Sequence, residues 1–302
     1  MATQTKIIKQ RILSVSNIRK ITHTMEMVSV AKMKKAMRLS LASREYAKYA
    51  LEILKTLINE RNISHPLFES RQEGKTLMVI FASNKGLSGS YNSNLQKAVG
   101  TYSKDTGTET DVVAVGKYAE KTAKKYNFKV VKKLHEFGDD ISLSQVKTIR
   151  KYIINEYLDT KKYKNVVVAY TEFVGQMNYK PIVKELLPVG HNIFKNIIDD
   201  MQNSIDYFTP NKEGMALYVF EPGEQRVMDK VLPNFMSALL FQMALESNAS
   251  EHSSRMFAMK NATDNATEMV NDLTLEFNRA RQSNITQEVA EIIAGAEALQ
   301  TI

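Results

Sequence analysis

Residues 259–284 read MKNATDNATEMVNDLTLEFNRARQSN. Within them Met259, Thr263, Ala266, Val270, Leu273, Phe277, Ala280 and Asn284 follow one another at alternating steps of four and three. That spacing is the heptad, which keeps one seam of an α-helix against a partner helix and winds the pair left-handed. The seam is poor in leucine and holds alanine, threonine and asparagine, so it predicts a pairing looser than a tight zipper. The run sits inside a longer one, residues 234–294, that contains neither glycine nor proline. Residues 1–65 also lack both. All 12 glycines lie at or after Gly74, only Gly295 follows Gly223, and the 6 prolines lie between Pro66 and Pro233. At ~1.5 Å per residue each unbroken stretch can form a helix roughly 80–90 Å long. Helices of that length need a partner to bury their apolar faces, and the obvious partner is each other.

In the first stretch Ile8, Ile12, Val15, Ile18, Met25, Leu39, Tyr46, Ala50, Leu54 and Leu57 are the residues expected near a 3.5-residue seam. Charge also matches the two ends. Residues 1–40 carry nine Lys/Arg and one acid, Glu26, whereas residues 251–302 carry eight acids and four bases. An antiparallel pair of terminal helices is the expectation. Past Asn284 the pattern changes. Ile285, Val289, Ile292, Ile293, Ala294, Ala296, Ala298 and Leu299 fall on more than one face, so a single paired helix cannot cover them. Such a tip suits a hydrophobic sleeve, and Arg279, Arg281 and Gln282 just before it are long donors able to reach a collar of acceptors.

The middle of the chain holds nearly all the turns. Leu77–Ala82, Asp111–Val115, Phe128–Leu134, Val166–Tyr170, Tyr179–Leu187 and Ala216–Phe220 read as strands. Helical patterns begin at about Asn94 and cover Lys117–Tyr126 and Ser144–Asp159, the last with Ser142 or Ser144 as N-cap. Strands alternating with helices predict a parallel-rich, Rossmann-like α/β domain. The expected division is a helix over 1–65, an α/β domain over 74–222 and a second long helix over 223–302.

The chain has 302 residues, 43% hydrophobic and 25% charged, enough for a buried core. It contains no cysteine, which excludes a disulfide framework, a thiolate nucleophile and sulfur-ligated zinc. His23, His65, His135, His191 and His252 are far apart, and no His-Glu-x-x-His occurs. The first apolar residues are interrupted by Lys6, Lys9 and Arg11, so no secretory leader is expected. Val231–Leu245, the longest apolar stretch, is interrupted by Pro233, Asn234 and Gln242 and falls short of the ~20 residues that cross a bilayer. A net charge of +8 and a pI near 9.3 favour an acidic partner.

Each candidate chemistry has a plainer reading. The turn Ser83–Ser90 has glycines, a lysine and a following helix, as a phosphate cradle would. It lacks the Gly-Lys-Ser/Thr ending and the three-glycine dinucleotide spacing, which favours a structural βα turn. Lys32, Lys34, Lys35 and Arg38 cluster as in a nucleic-acid-binding helix, but no stacking aromatics accompany them, which favours a solvated or partner-facing helix. Asp139-Asp140 and Asp199-Asp200 have no implied basic partner and read as capping or solubilising pairs. Asn261-Ala262-Thr263 is a glycosylation sequon only in a secreted chain. Two rival readings remain from the residues alone. One is a Rossmann-type enzyme with a helical oligomerisation hairpin. The other is a basic coiled-coil nucleic-acid scaffold.

The stretch from Lys20 to Met33 (KITHTMEMVSVAKM) resembles the N-terminal signature of the gamma-subunit family of F-type ATP synthases. Met256–Ala266 (MFAMKNATDNA) and Asn278–Glu288 (NRARQSNITQE) resemble its C-terminal signature, and Lys85-Gly86-Leu87-Ser88-Gly89 with Asn92 is similar to one of its loops. The resemblance spans the chain from end to end. It implies a rotor shaft, with terminal helices running up a ring of alternating alpha and beta subunits and an α/β foot beside the epsilon subunit on the membrane c ring. It implies no catalysis, cofactor, metal or nucleic-acid partner, and a peripheral position on the cytoplasmic face of a bacterial plasma membrane. Carried over by residue, it implies alpha/beta-ring contacts at Met25, Arg255, Arg279, Gln282, Thr286 and Glu288. Tyr218 and Glu221 would meet the c ring. The family often has small residues or glycines where Ala266 and Thr267 stand, and the absence of cysteine leaves no basis for the redox-regulated insert of chloroplast members.

Overall fold

A computed structural model describes residues 2–59, 65–134, 141–175, 177–189 and 220–300. In chain order the elements are α1 (Ala2–Asn59), a 3₁₀ turn (Pro66–Phe68), β1 (Lys75–Phe81), α2 (Tyr91–Thr106), β2 (Thr110–Val115), α3 (Lys117–Lys125), β3 (Lys129–Leu134), α4 (Leu143–Asp159), β4 (Tyr163–Phe173), β5 (Tyr179–Leu187) and α5 (Glu224–Gln300). The expected strand Ala216–Phe220 lies, except for Phe220, outside the described residues, as do Asp139, Asp140, Asp199 and Asp200. The chain divides into two compact units, Met1–Ala31 with Arg255–Ile302, and Lys32–Ser254.

The second unit holds a five-stranded sheet in the order β3-β2-β1-β4-β5. Strands β1 to β4 are parallel, and β5 closes one side antiparallel to β4. Because helices cover both faces, the central strands are continuous apolar runs without the alternation of a half-exposed sheet. Leu77, Val79, Phe81, Val113, Val166 and Val168 face Val146, Ile149, Ile153 and Tyr157 of α4, together with Leu54 and Leu57 of α1 and Phe235, Leu240 and Met243 of α5. Met78, Ile80, Val112, Ala114 and Val167 face Leu95 and Val99 of α2 and Ala119 and Ala123 of α3. Each large apolar side chain buried there contributes roughly 1.5–3 kcal/mol.

The long helices run antiparallel. On α5 the expected seam is the observed one: Met259 and Ala266 are buried, and from Val270 to Asn284 only Val270, Leu273, Phe277, Ala280 and Asn284 are half-buried, the rest being exposed. On α1 four expected seam residues are misplaced. Ile18, Leu39 and Tyr46 are exposed and Met25 is half-buried. The observed seam runs one residue later, through Arg19, Glu26, Ser40 and Ala47, and includes Thr22, Ser29, Met33, Ala36 and Ser43. With Ile8, Ile12, Val15, Ala50, Leu54 and Leu57 it keeps alternating steps of four and three along the helix. Apolarity misdirects the reading here because much of the seam is small or polar, while its apolar neighbours point outward. The polar positions are paired. Thr263 Oγ1 donates to Thr22 Oγ1 at 2.8 Å, and Gln242 Nε2 donates to Ser40 Oγ at 2.8 Å while Ser43 Oγ donates to Gln242 Oε1 at 2.6 Å.

Smaller differences have local causes. Helix α2 begins at Tyr91, three residues before the expected Asn94, and β4 extends beyond Val166–Tyr170 at both ends. Its polar flanks are held by side chains: Thr76 Oγ1 donates to Asn165 Oδ1 at 2.8 Å, and Lys184 Nζ to Glu172 Oε1 at 3.4 Å. Proline lacks the N–H an α-helix interior needs, yet Pro233 lies inside α5. Arg150 of α4 braces that turn, donating to Pro233 O at 3.2 Å and Ser237 Oγ at 3.1 Å.

Candidate functional site

The unit formed by Met1–Ala31 and Arg255–Ile302 carries most of the residues singled out from the sequence. Its seam is narrow, and apolar side chains remain outside it. Ile7, Leu13, Ile18, Ile21, Met27 and Val28 are exposed on α1, as are Met269, Leu275, Ile285, Val289, Ile292 and Ile293 on α5. At the tip this is the expected arrangement, with apolar residues on several faces of one helix. Lys6, Lys9, Arg11 and Lys20 are exposed among the apolar residues of α1.

Met25 is half-buried, beside the half-buried seam residue Glu26, whose Oε2 lies 3.5 Å from His23 Nδ1. Arg279, Gln282, Thr286 and Glu288 are all exposed. Thr286 Oγ1 donates to the Gln282 backbone carbonyl at 2.9 Å, a bond within the helix. Arg255 differs from these, with only 6% of its surface exposed. Glu221 is exposed just before α5, and Tyr218 lies outside the described residues.

The second unit contains the other place where a site is expected. In a doubly wound sheet ligands bind outside the carboxyl ends of the strands where the strand order reverses, here between β1 and β4. The turn Ser83–Ser90 leaves β1 at that point, and its polar groups are used internally. Ser83 Oγ donates to Lys85 O at 2.8 Å, and Asn92 Nδ2 donates to Ser83 Oγ at 2.7 Å and Ser88 Oγ at 3.1 Å. Asn84 Oδ1 accepts from the Lys117 N–H at 3.1 Å, tying the turn to α3. Leu87 and Gly89 take φ of 61° and 54°, so the turn is shaped by its own bonds. The space left is a cavity of about 130 Å³ lined by Phe81, Asn84, Lys85, Tyr91, Asn248 and Glu251 among others. Nucleotide-sized ligands occupy pockets of roughly 300–1,000 Å³. This arrangement fits the structural reading of the turn.

No group of three or more His, Asp or Glu among the described residues could hold a metal ion. None of the described helices is long and apolar enough to cross a membrane. The residues that sequence reasoning missed are Ser247, Ser250 and Ser254, which sit on α5 at the sheet's carboxyl edge. Their three-then-four spacing was visible, but serine carries no apolar signal and its role depends on distant partners.

The family model described as ATP synthase matches residues 4–299. Over 300 residues the chain is 36% identical to the ATP synthase gamma chain of Chloroflexus aurantiacus, covering 97% of each chain. Over 297 residues it is 32% identical to that of Pelotomaculum thermopropionicum, covering 97% of this chain and 98% of that one. Among solved structures, a chain of the Euglena gracilis mitochondrial ATP synthase (OSCP/F1/c-ring, rotational state 3) superposes with a TM-score of 0.61 at 18% identity, covering 99% of this chain and 95% of that one. A chain from the central stalk and c-ring of the Tetrahymena thermophila mitochondrial enzyme gives 0.56 at 22% identity, covering 80% and 99%. At those identities the structures speak for the fold, and the sequence relatives carry the assignment: the chain belongs to the ATP synthase gamma-chain family.

Proposed function

We infer that this chain is the central rotor shaft of an F-type ATP synthase, coupling ion flow through a membrane c ring to ATP synthesis or hydrolysis in a ring of alpha and beta subunits. The observation that carries the reading is the tip of α5, where Ile285, Val289, Ile292 and Ile293 are all about half exposed or more on a helix that has left its pairing seam. A helix end of that kind needs an apolar sleeve. The chain is a non-catalytic subunit in this reading. Segments 1–65 and 223–302 form the shaft and 74–222 the foot, beside an epsilon subunit and the c ring on the cytoplasmic face of a bacterial membrane.

A shaft must turn inside its bearing without locking, so its contacts should be weak and reversible. Scattered exposed apolar side chains interspersed with lysines and arginines meet that need better than one deep leucine-rich patch, since each exposed ionic contact contributes only ~0.2–1 kcal/mol. In this reading Met25, Arg279, Gln282, Thr286 and Glu288 meet the alpha/beta ring directly, Arg255, buried within the chain, reaches it only if its side chain is drawn outward on assembly, and Tyr218 and Glu221 meet the c ring. Met25→Lys would set a cation against the bearing at a half-buried position. The assembled complex should then pump fewer protons per ATP; unchanged pumping would remove Met25 from the bearing.

The reading as a whole is tested by co-expressing the chain with the alpha and beta subunits of the same organism. A complex of three alpha, three beta and one copy of this chain, with hydrolysis dependent on it, is the expected result. A chain that purifies without either subunit would sink the assignment.

A further inference from the structure

Helix α5 crosses the carboxyl edge of the sheet, and there its packing changes character. From Phe235 to Ala244 it meets the sheet and its neighbours through apolar side chains. From Ser247 to Ser254 its buried side chains are largely hydroxyls, with Ser247, Ser250, Ser253 and Ser254 at most 3% exposed. A serine inside a helix ordinarily bonds back to its own preceding turn. Three of these serines instead reach across, two to strands and one to the turn after β1. Ser247 Oγ donates to the carbonyl of Phe81, the last residue of β1, at 3.3 Å. Ser250 Oγ donates to the Thr171 carbonyl near the end of β4 at 3.2 Å. Ser254 Oγ donates to the Ser88 carbonyl in the turn after β1 at 2.6 Å.

Two of the three are backed by tyrosines. Tyr91 OH lies 2.7 Å from Ser247 Oγ, and Tyr179 OH donates to Ser254 Oγ at 3.1 Å. A serine hydroxyl has one proton, and Ser254 directs its own to the Ser88 carbonyl, so it accepts from Tyr179. Tyr91 OH also reaches the Phe81 carbonyl, at 3.5 Å, so Tyr91 and Ser247 share that acceptor and one hydrogen bond between them. The result is a relay from Tyr179 through Ser254 to a backbone carbonyl at one end and a Tyr91–Ser247 pair on the Phe81 carbonyl at the other, with Ser250 between them. The strands engaged, β1 and β4, are the two that flank the point where the strand order reverses.

Apolar burial is non-directional and permits a helix to roll or slide on a sheet at little cost. Hydrogen bonds weaken steeply with angle and distance, so they fix roll and axial position. We propose that Ser247, Ser250 and Ser254 are positioning residues that key α5 to the α/β sheet, so that torque applied to the sheet domain passes into the helix without slip. This rests on the rotor-shaft reading above.

The test is the complete ATP synthase assembled around S247A/S250A/S254A and reconstituted in vesicles, measuring ATP-driven proton uptake per ATP hydrolysed. The proposal expects a ratio at least twofold below that of the unmodified complex, at equal amounts of assembled complex. Y91F/Y179F, which keeps the serine–carbonyl bonds, should lower the ratio less than the triple alanine variant. A lower melting temperature with an unchanged ratio would make the serines ordinary packing residues and overturn the proposal. If the triple variant does not assemble, S250A and S254A are measured singly, and an unchanged ratio in both overturns it equally. Failure of the unmodified chain to assemble with alpha and beta subunits would instead count against the rotor reading itself.

Discussion

Gly116 ends β2 with a φ of 92°, and a Cβ placed there would lie 2.1 Å from the Ala82 carbonyl oxygen. Both features exclude a side chain, and the close neighbour is backbone that cannot swing aside. Gly116→Ala should therefore destabilise the chain by more than about 2 kcal/mol, read from urea unfolding followed by circular dichroism. His65 presents a different constraint. Its Nδ1 accepts the Leu67 N–H at 3.1 Å, capping the 3₁₀ turn, and its Nε2 lies 3.7 Å from Asp229 Oδ1. Burial lowers its pKa below 6.5, and the nearby Asp229 carboxylate offsets only part of that shift. The unfolded chain then takes up the proton first as pH falls, so stability is full above about pH 6.5 and declines below it. His65→Asn keeps a capping acceptor and cannot titrate. Unfolding midpoints measured from pH 7.5 to 5.5 should decline less in that variant, and an identical decline would show that His65 does not contribute.

Among the elements, α4 shows how local chemistry sets a boundary. Ser142 Oγ accepts from Gln145 N at 3.4 Å, and Gln145 Oε1 accepts from Ser142 N at 3.0 Å, a reciprocal capping box. Ser142→Ala should cost about 1 kcal/mol, measured by the same unfolding assay, whereas Ser144→Ala should cost less, since the sequence's other candidate cap is the second residue of the helix. Edge strand β3 shows a second device. Lys129, Lys132 and Lys133 line it, discouraging pairing with another chain. Lys133 and Lys124 both bond Glu120 of α3 at 2.9 Å, and together they pull its carboxyl down to about 2. The two long helices differ in legibility for one reason. The α5 seam is periodic in side chains that stand out from their polar neighbours, while the α1 seam passes through Arg19, Thr22, Glu26 and Ser29, where apolarity points to the wrong residues.

For the whole molecule the decisive feature is apolar surface that the fold does not cover. Ile285, Val289, Ile292 and Ile293 expose 51%, 48%, 71% and 54% of their surface, more than a helix end would sustain without a partner. The isolated chain should self-associate and bind a hydrophobic dye, with both signals falling by about half or more in I285S/I292S/I293S. The same variant should lose ring-dependent hydrolysis if the tip seats in a sleeve. Unchanged dye binding would show that the exposed tip is not the source of the association.

The two long helices, the seam of the second, the alternation of strands and helices between them and the absence of sulfur chemistry were all determined by the sequence alone. Each depends on local information: where glycine and proline are missing, and how apolar residues are spaced along a few turns. The family signatures at the two ends are local in the same sense. Only the tertiary structure decided which polar side chains are structural. Ser254 and Ser88 lie 166 positions apart, as do Ser247 and Phe81, and no pattern along the chain announces that they will bond. The order of the strands, the true seam of α1 and the filling of the sheet's carboxyl edge by α5 follow from the same cause. A hydroxyl has no side-chain periodicity to declare its partner, and its one proton is committed only when the fold brings a carbonyl within reach.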